Sequence, residues 1–285
     1  MNYRHAFHAG NFADVMKHAL MARILLHLNA KPAPWRCLDI HAGAGLYDLG
    51  SDEAGRTGEW RGGVGLMEEP LAGEAEALLA PWRQALAGVR ARHGALAYPG
   101  SPLLALALAR GGDVVLANER HGETAQLLRA AIGKDGRARI LELDGAVALR
   151  ANIPPPEKRG LILLDPPFER ADEFAALAKA TIAAHAKWPT GIHAIWYPVK
   201  DAALVEAFLA RLEQAGIARM LRLELTIHRK SAGLGGSGLL ILNPPWRLAA
   251  EAEILLPALA ARLALGVENQ HRRAGWRCDA IRPDG

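Results

Sequence analysis

The chain has 285 residues, 51% of them hydrophobic and 22% charged, with a formal net charge of +4. That apolar share excludes a disordered chain, and the length supports one large or two small domains. No apolar run approaches the ~20 residues of a membrane span, and the opening MNYRHAFHAGNF has no secretory apolar core. Two cysteines, Cys37 and Cys278, exclude a disulfide framework and a Cys-x-x-Cys zinc site. The expectation is a soluble, cytoplasmic, monomeric protein, and the mild basic excess permits an acidic partner without establishing one.

The N-terminal segment gathers Tyr3, Arg4, His5, His8, Asn11, Asp14, Lys17 and His18. A helix is predicted from about Asn11 toward Leu28, with Val15, Ala19, Ala22 and Leu26 as its apolar stripe. Taken residue by residue, such polar groups read as solvated. His5, His8 and His18 offer a metal site as an alternative, but they match no standard zinc spacing and no metal is expected.

Apolar segments with strand character follow at 37–40, 113–117, 138–143, 160–164, 191–197, 219–227 and 238–242. Most are short and continuous, as in strands buried on both faces. Helical patterns lie between them at 101–110, 122–132, 172–186 and 201–215. This alternation predicts an α/β fold with a mostly parallel sheet. Residues 46–100 depart from it. They contain no good strand and one helical stretch, 71–92, broken near Pro81, and they read as an inserted, mainly helical subdomain. Ser101-Pro102 then opens a helix, with Ser101 as its N-cap. Near the C-terminus, HRKSAGLGGS is too short for a parallel crossover, so the last two strands form an antiparallel hairpin. Such a reversed strand suits a methyltransferase better than a nicotinamide-binding domain. The tail, 266–285, with Arg272, Arg273, Arg277 and Arg282, is expected to be frayed.

The residues with chemical meaning cluster at predicted strand ends. Leu38-Asp39-Ile40-His41-Ala42-Gly43-Ala44-Gly45 runs from a strand into a glycine turn, where backbone can approach a ligand closely. Asp48 replaces the third glycine of the dinucleotide fingerprint. The string resembles the glycine loop of class I S-adenosylmethionine (SAM) methyltransferases. Glu119 ends the next strand, where a carboxylate can accept ribose hydroxyls. Asp144-Gly145 ends the third, where a carboxylate or an amide could meet an adenine edge.

The strongest signal is Asp165-Pro166-Pro167-Phe168 after the buried strand 160–164. It matches the [D/N/S]-P-P-[Y/F/W] signature of amino-methyltransferases. An exocyclic adenine amine is a weak nucleophile because its lone pair is delocalised into the ring. A carboxylate and a fixed carbonyl that accept both amine hydrogens localise that pair, and the prolines keep the carbonyl aimed. Phe168 can stack on a base swung out of its helix. Asn243-Pro244-Pro245-Trp246 fits the same signature, but it follows the reversed strand and should leave the sheet at the opposite edge. It reads as a structural turn.

Taken together, Tyr3-Arg-His-x-Phe-His-Ala-Gly-Asn11, Asp14-Val-x-Lys-His18, the glycine loop, Tyr98-Pro-Gly-Ser-Pro102, Asp165-Pro-Pro-Phe168, Trp196-Tyr-Pro198 and Asn243-Pro-Pro-Trp246 resemble the RlmJ family of bacterial 23S rRNA adenine-N6 methyltransferases. The resemblance extends to about residue 265. It implies a class I SAM-dependent methyltransferase domain (Rossmann-like) over 1–45 and 101–265, with 46–100 as the helical insertion. It implies SAM as cofactor, 23S rRNA as partner and the adenine at position 2030 as target. By motif match, Asp165, Pro166 and Phe168 are catalytic. His18, His41, Gly43, Ser101, Glu119, Asp144, Gly145 and Asp165 contact SAM or line its site. Tyr3, His5, Lys17 and Phe168 help position the adenine or its RNA. Phe168 stands where many relatives have Tyr, which keeps stacking but loses a phenol. Arg4, Lys17, Arg229 and Lys230 are candidate phosphate contacts, which would make RNA binding salt-sensitive. A DNA adenine methyltransferase and a noncatalytic nucleic-acid-binding protein are the alternatives.

Overall fold

The computed structural model describes residues 4–227, 234–266 and 274–281. Helix α1 spans Phe12–Asn29 and leads into strand β1, Arg36–Asp39. Then come β2 (Leu46–Asp48), α2 (Asp52–Thr57), α3 (Glu74–His93), β3 (Ala97–Pro99) and α4 (Ser101–Leu108). Alternation follows with β4 (Val114–Asn118), α5 (Gly122–Ile132), β5 (Ala138–Leu141), α6 (Gly145–Asn152), β6 (Gly160–Leu164), α7 (Glu173–Lys187), β7 (Ile192–Pro198) and α8 (Ala202–Gln214). The chain closes with β8 (Met220–Thr226), β9 (Gly236–Leu242), α9 (Leu248–Leu263) and β10 (Gly275–Ile281).

Eight strands form one sheet in the order β10-β8-β9-β7-β6-β1-β4-β5. The five from β7 to β5 are parallel, β9 runs antiparallel to β7 and β8, and β10 runs antiparallel to β8. Parallel strands end at the same edge, so β1, β4, β5 and β6 deliver their carboxyl ends side by side. This is the arrangement expected of a class I SAM-dependent methyltransferase, with β10 added at one side.

The apolar strands alternate between two cores. Cys37, Val115, Leu161, Leu163 and Ile241 face a layer that includes α1, α4 and α9. Leu38, Ile40, Ile162, Leu164 and Leu240 face α6, α7 and α8. Both faces of the parallel strands are therefore dry, which explains their unbroken apolar runs.

Four expectations are corrected. Helix α1 is buried almost all round instead of along one stripe. Its polar residues Asp14, Lys17 and His18 are buried with it because each finds a buried partner. Helix α3 continues through Pro81, since buried Leu79, Trp82, Leu86 and Val89 hold it on both sides of the missing amide. Residues 46–100 do contain strands: β2 and β3 pair antiparallel and close the ends of the segment together. At three residues each they are too short to show a period. Helix α3 packs against α1, α4 and α9, which builds the segment onto the main core.

The fourth correction concerns the tail. Gly275–Ile281 is not frayed but pairs with β8 along its whole length. It satisfies the backbone groups of an otherwise open edge, and Arg277 lies 3.5 Å from Glu224. Arg272, Arg273 and Arg282 lie outside the described residues, as do Tyr3, Arg229 and Lys230. Asn243 sits at the amino end of β7, donating its amide to the Pro189 and Gly191 carbonyls at 2.7 and 2.8 Å. That is the edge opposite Asp165. Among the described residues no helix is long and apolar enough to cross a membrane.

Candidate active site

The glycine turn after β1 is fixed by its neighbours. Gly43 has φ +61°, and a Cβ there would fall 2.3 Å from the Tyr47 hydroxyl, so only glycine fits. The Gly43 amide donates to Glu119 Oε2 at 3.1 Å, and the His121 amide donates to Glu119 Oε1 at 2.9 Å. Glu119 thus ties the end of β4 to the turn after β1. Beside it, the Asn118 amide donates to the Ile40 and Leu143 carbonyls and accepts from Leu143 N, each at 3.1 Å. This locks three strand ends together. Asp144 caps α6, accepting from Ala146 N at 3.0 Å, while Gly145 packs so closely on His41 that a Cβ would lie 3.2 Å from its Nε2.

Asp165 leaves the carboxyl end of β6 next to this turn. Its amide donates to His41 Nδ1 at 3.3 Å, a long contact that requires that nitrogen to be unprotonated. Burial pushes the His41 pKa down to about 4, so the ring is neutral and can accept. Phe168 adopts φ +50°. Its ring packs edge-to-face on Phe174 and Trp196, at centroid distances of 4.9 and 5.7 Å.

The first two turns of α1 reach the same place. Lys17 Nζ bonds Asp165 Oδ2 and lies 2.9 Å from Asp14 Oδ1. Asp14 Oδ2 in turn accepts from Gly10 N and bonds His5 Nε2, both at 2.9 Å. Burial alone would lower the Lys17 pKa. The charges of Asp14 and Asp165 outweigh it and hold the ammonium well above its ordinary range. For Asp14, burial would raise the pKa, but His5 and Lys17 hold it well below the usual carboxylate range. Asp14 and Lys17 are therefore buried rather than solvated, and the Lys17 charge is committed to two carboxylates. Arg4 is exposed and pairs with Glu53 at 2.7 Å.

The structure brings His5, Lys17, His41, Gly43, Glu119, Asp144, Gly145, Asp165, Pro166 and Phe168 to this sheet edge. His18 and Ser101 are buried behind it. His18 Nδ1 is 2.9 Å from the Tyr98 hydroxyl, and burial lowers its pKa to about 3. Ser101 is not the N-cap of α4, which is Gly100. Its hydroxyl donates instead to Asp39 Oδ2 at 2.6 Å. Among the described residues no group of three or more His, Cys, Asp or Glu could hold a metal. Asp14 and Tyr98 received no role from the sequence. Asp14 lies three residues before Lys17 on one helix, a spacing that could have paired them. Tyr98 is 80 positions from its partner and leaves no local signal.

Asp39 gives a test of this electrostatic layout. Burial pushes its carboxyl up to about 7. Between its ordinary value and about 7 the folded protein keeps a proton that the unfolded chain has released. Asp39 therefore contributes less stability as pH rises through that window. His41 and His18 act oppositely, costing stability as pH falls below about 6.5, where the unfolded imidazoles protonate. Denaturant melts of the wild type and Asp39→Asn separate the two effects. The wild type should lose up to about 4 kcal/mol relative to the variant from pH 4 to pH 7. A constant difference refutes the buried acid.

With this geometry in view, the comparisons place the chain. Residues 32–278 match the family model described as "RsmJ: Ribosomal RNA large subunit methyltransferase D, RlmJ". The chain is 39% identical over 280 residues to Ribosomal RNA large subunit methyltransferase J of Escherichia coli K12, covering 97% of this chain and 98% of that one. It is 35% identical over the full length of both chains to the protein of the same name from Haemophilus influenzae. A crystal structure of a Legionella pneumophila protein superposes with a TM-score of 0.83 at 30% identity, covering 96% of this chain and 98% of that one. The turn, the strand-end carboxylates and the Asp165 loop thus sit in a chain that belongs to the RlmJ family of ribosomal RNA large subunit methyltransferases.

Proposed function

We propose that the protein transfers a methyl group from SAM to the exocyclic N6 amine of an adenine in 23S rRNA, at position 2030 by family resemblance, and that it acts as a cytoplasmic monomer. The observation that carries this reading is Asp165-Pro-Pro-Phe168 at the end of buried β6, with its carboxylate held by Lys17 at the sheet edge.

The residues present fit SAM. Glu119 can accept ribose hydroxyls at the glycine turn, beside its two backbone partners. Leu143 and Val147 are exposed on either side of Asp144 and leave an apolar surface suited to a flat adenine ring. SAM, when bound, supplies an activated methyl group on a sulfonium. The protein supplies placement. The Asp165 carboxylate and the Pro166 carbonyl accept the two amine hydrogens of the target adenine. The nitrogen lone pair so freed would accept the methyl group that SAM supplies, and the amine proton released would pass to solvent. Phe168, braced by Phe174 and Trp196, holds the base face. Reaching these groups requires an unstacked adenine.

Mapping isotopically labelled methyl groups after incubating the protein with unmodified 23S rRNA, and separately with duplex DNA, tests this reading. Label should appear on N6 of one rRNA adenine. Label confined to DNA, or on another rRNA atom, refutes it.

A further inference from the structure

We propose that Asp14 is a positioning residue for methyl transfer: it anchors Lys17 and thereby keeps the Asp165 carboxylate available to the adenine amine. This rests on the function proposed above and extends it to a group that touches neither substrate nor cofactor.

Lys17 is the cation between two carboxylates. It lies 2.9 Å from Asp14 Oδ1 and also bonds Asp165. The side chains of Asp14 and Lys17 are 2% and 6% exposed, so water screens neither. Asp165 is more open, at 18%, as a group that must receive a substrate should be. Asp14 is also anchored. It sits in the first turn of α1, its amide donates to the capping Asn11 Oδ1 at 3.0 Å, and its other oxygen accepts from Gly10 N and bonds His5. Its bond to Lys17 spans a single helical turn, whereas the Lys17–Asp165 bond joins different layers.

The charge count explains the consequence. Within the triad Asp14, Lys17 and Asp165 sum to −1, and His5, which bonds Asp14, is the same in every variant compared and leaves the differences unchanged. The adenine nitrogen becomes more positive as its bond to carbon forms, and surplus negative charge nearby favours that change. Without Asp14 the ammonium has Asp165 as its sole carboxylate partner in the triad. The sum becomes zero, and the lone pairs needed by the amine hydrogens are taken by the ammonium.

Asp14→Asn, Lys17→Met and the double variant, made in the full chain and assayed on 23S rRNA, test this. Asn keeps an acceptor for Gly10 N while removing the charge. D14N should lower kcat at least ~10-fold, with SAM affinity by calorimetry within about twofold. Adding K17M should restore at least ~5-fold over D14N, because the freed cation is gone and the sum returns to −1. A double variant as slow as D14N, or D14N at the wild-type rate, overturns the proposal. If D14N melts below the assay temperature, the wild type and all three variants are compared at a lower temperature at which each melt shows a folded protein, and the same outcomes support or overturn the proposal. An inactive wild type on this RNA refutes the substrate reading instead, which separates the two failures.

Discussion

Asp165→Ala is expected to lower kcat for rRNA methylation by at least ~10³-fold, with SAM affinity falling far less because Asp165 is one of several groups lining that site. The loss combines two effects. The amine loses its anionic hydrogen acceptor, so its lone pair stays delocalised into the purine ring. The carbonyl of Pro166 remains, but one acceptor orients one hydrogen only. The fold should persist, because Lys17 keeps Asp14 as a partner at 2.9 Å and is not left as an unpaired buried charge. The Asp165 amide that reaches His41 belongs to the backbone and survives the substitution. Turnover, calorimetric SAM binding and a thermal melt on one preparation check all three statements. A variant that retains a tenth of the activity would remove Asp165 from the mechanism.

Gly160→Ala should be the most damaging small substitution for the fold. Gly160 opens β6 directly opposite Arg36 of β1, and a Cβ there would lie 1.9 Å from the Arg36 carbonyl oxygen. No rotamer relieves a clash between two backbones, so the strands must separate at the point where β6 enters the centre of the sheet. A cost of about 3–5 kcal/mol is expected, which for a chain of this size lowers Tm by roughly 10 °C. Since β6 carries Asp165 and β1 carries His41, kcat should fall even at temperatures where the variant is folded. A melt within a few degrees of the wild type would show that the sheet adjusts.

The parts legible in the sequence were those encoded locally. The unbroken run Leu161–Leu164 announced a strand buried on both faces, and Asp165-Pro-Pro-Phe168 followed it at once. The short HRKSAGLGGS connection was enough to reverse β9 against β8. What the sequence does not show depends on distant partners. Helix α1 looks like a surface helix with polar residues because its buried charges are neutralised by groups such as Asp165, 148 positions away. Ser101 looks like an N-cap because nothing near it announces the Asp39 carboxylate that takes its hydroxyl. Strand β10 carries Arg277 and Asp279 among mostly exposed positions, a pattern without the periodic apolar face by which strands are recognised. It forms because β8 presents an open edge.

The placement of His5 and of β10 has a practical consequence. His5 bonds Asp14, which holds the Lys17 that reaches Asp165, so a bulky group attached at His5 is tethered beside that carboxylate. Strand β10 finishes with Ile281 opposite Met220, at the edge of the sheet that holds Asn243. A fluorophore attached at Ile281 is therefore tethered to the opposite edge of the sheet. Binding and turnover measurements that rely on labelled protein are best made with the label on β10.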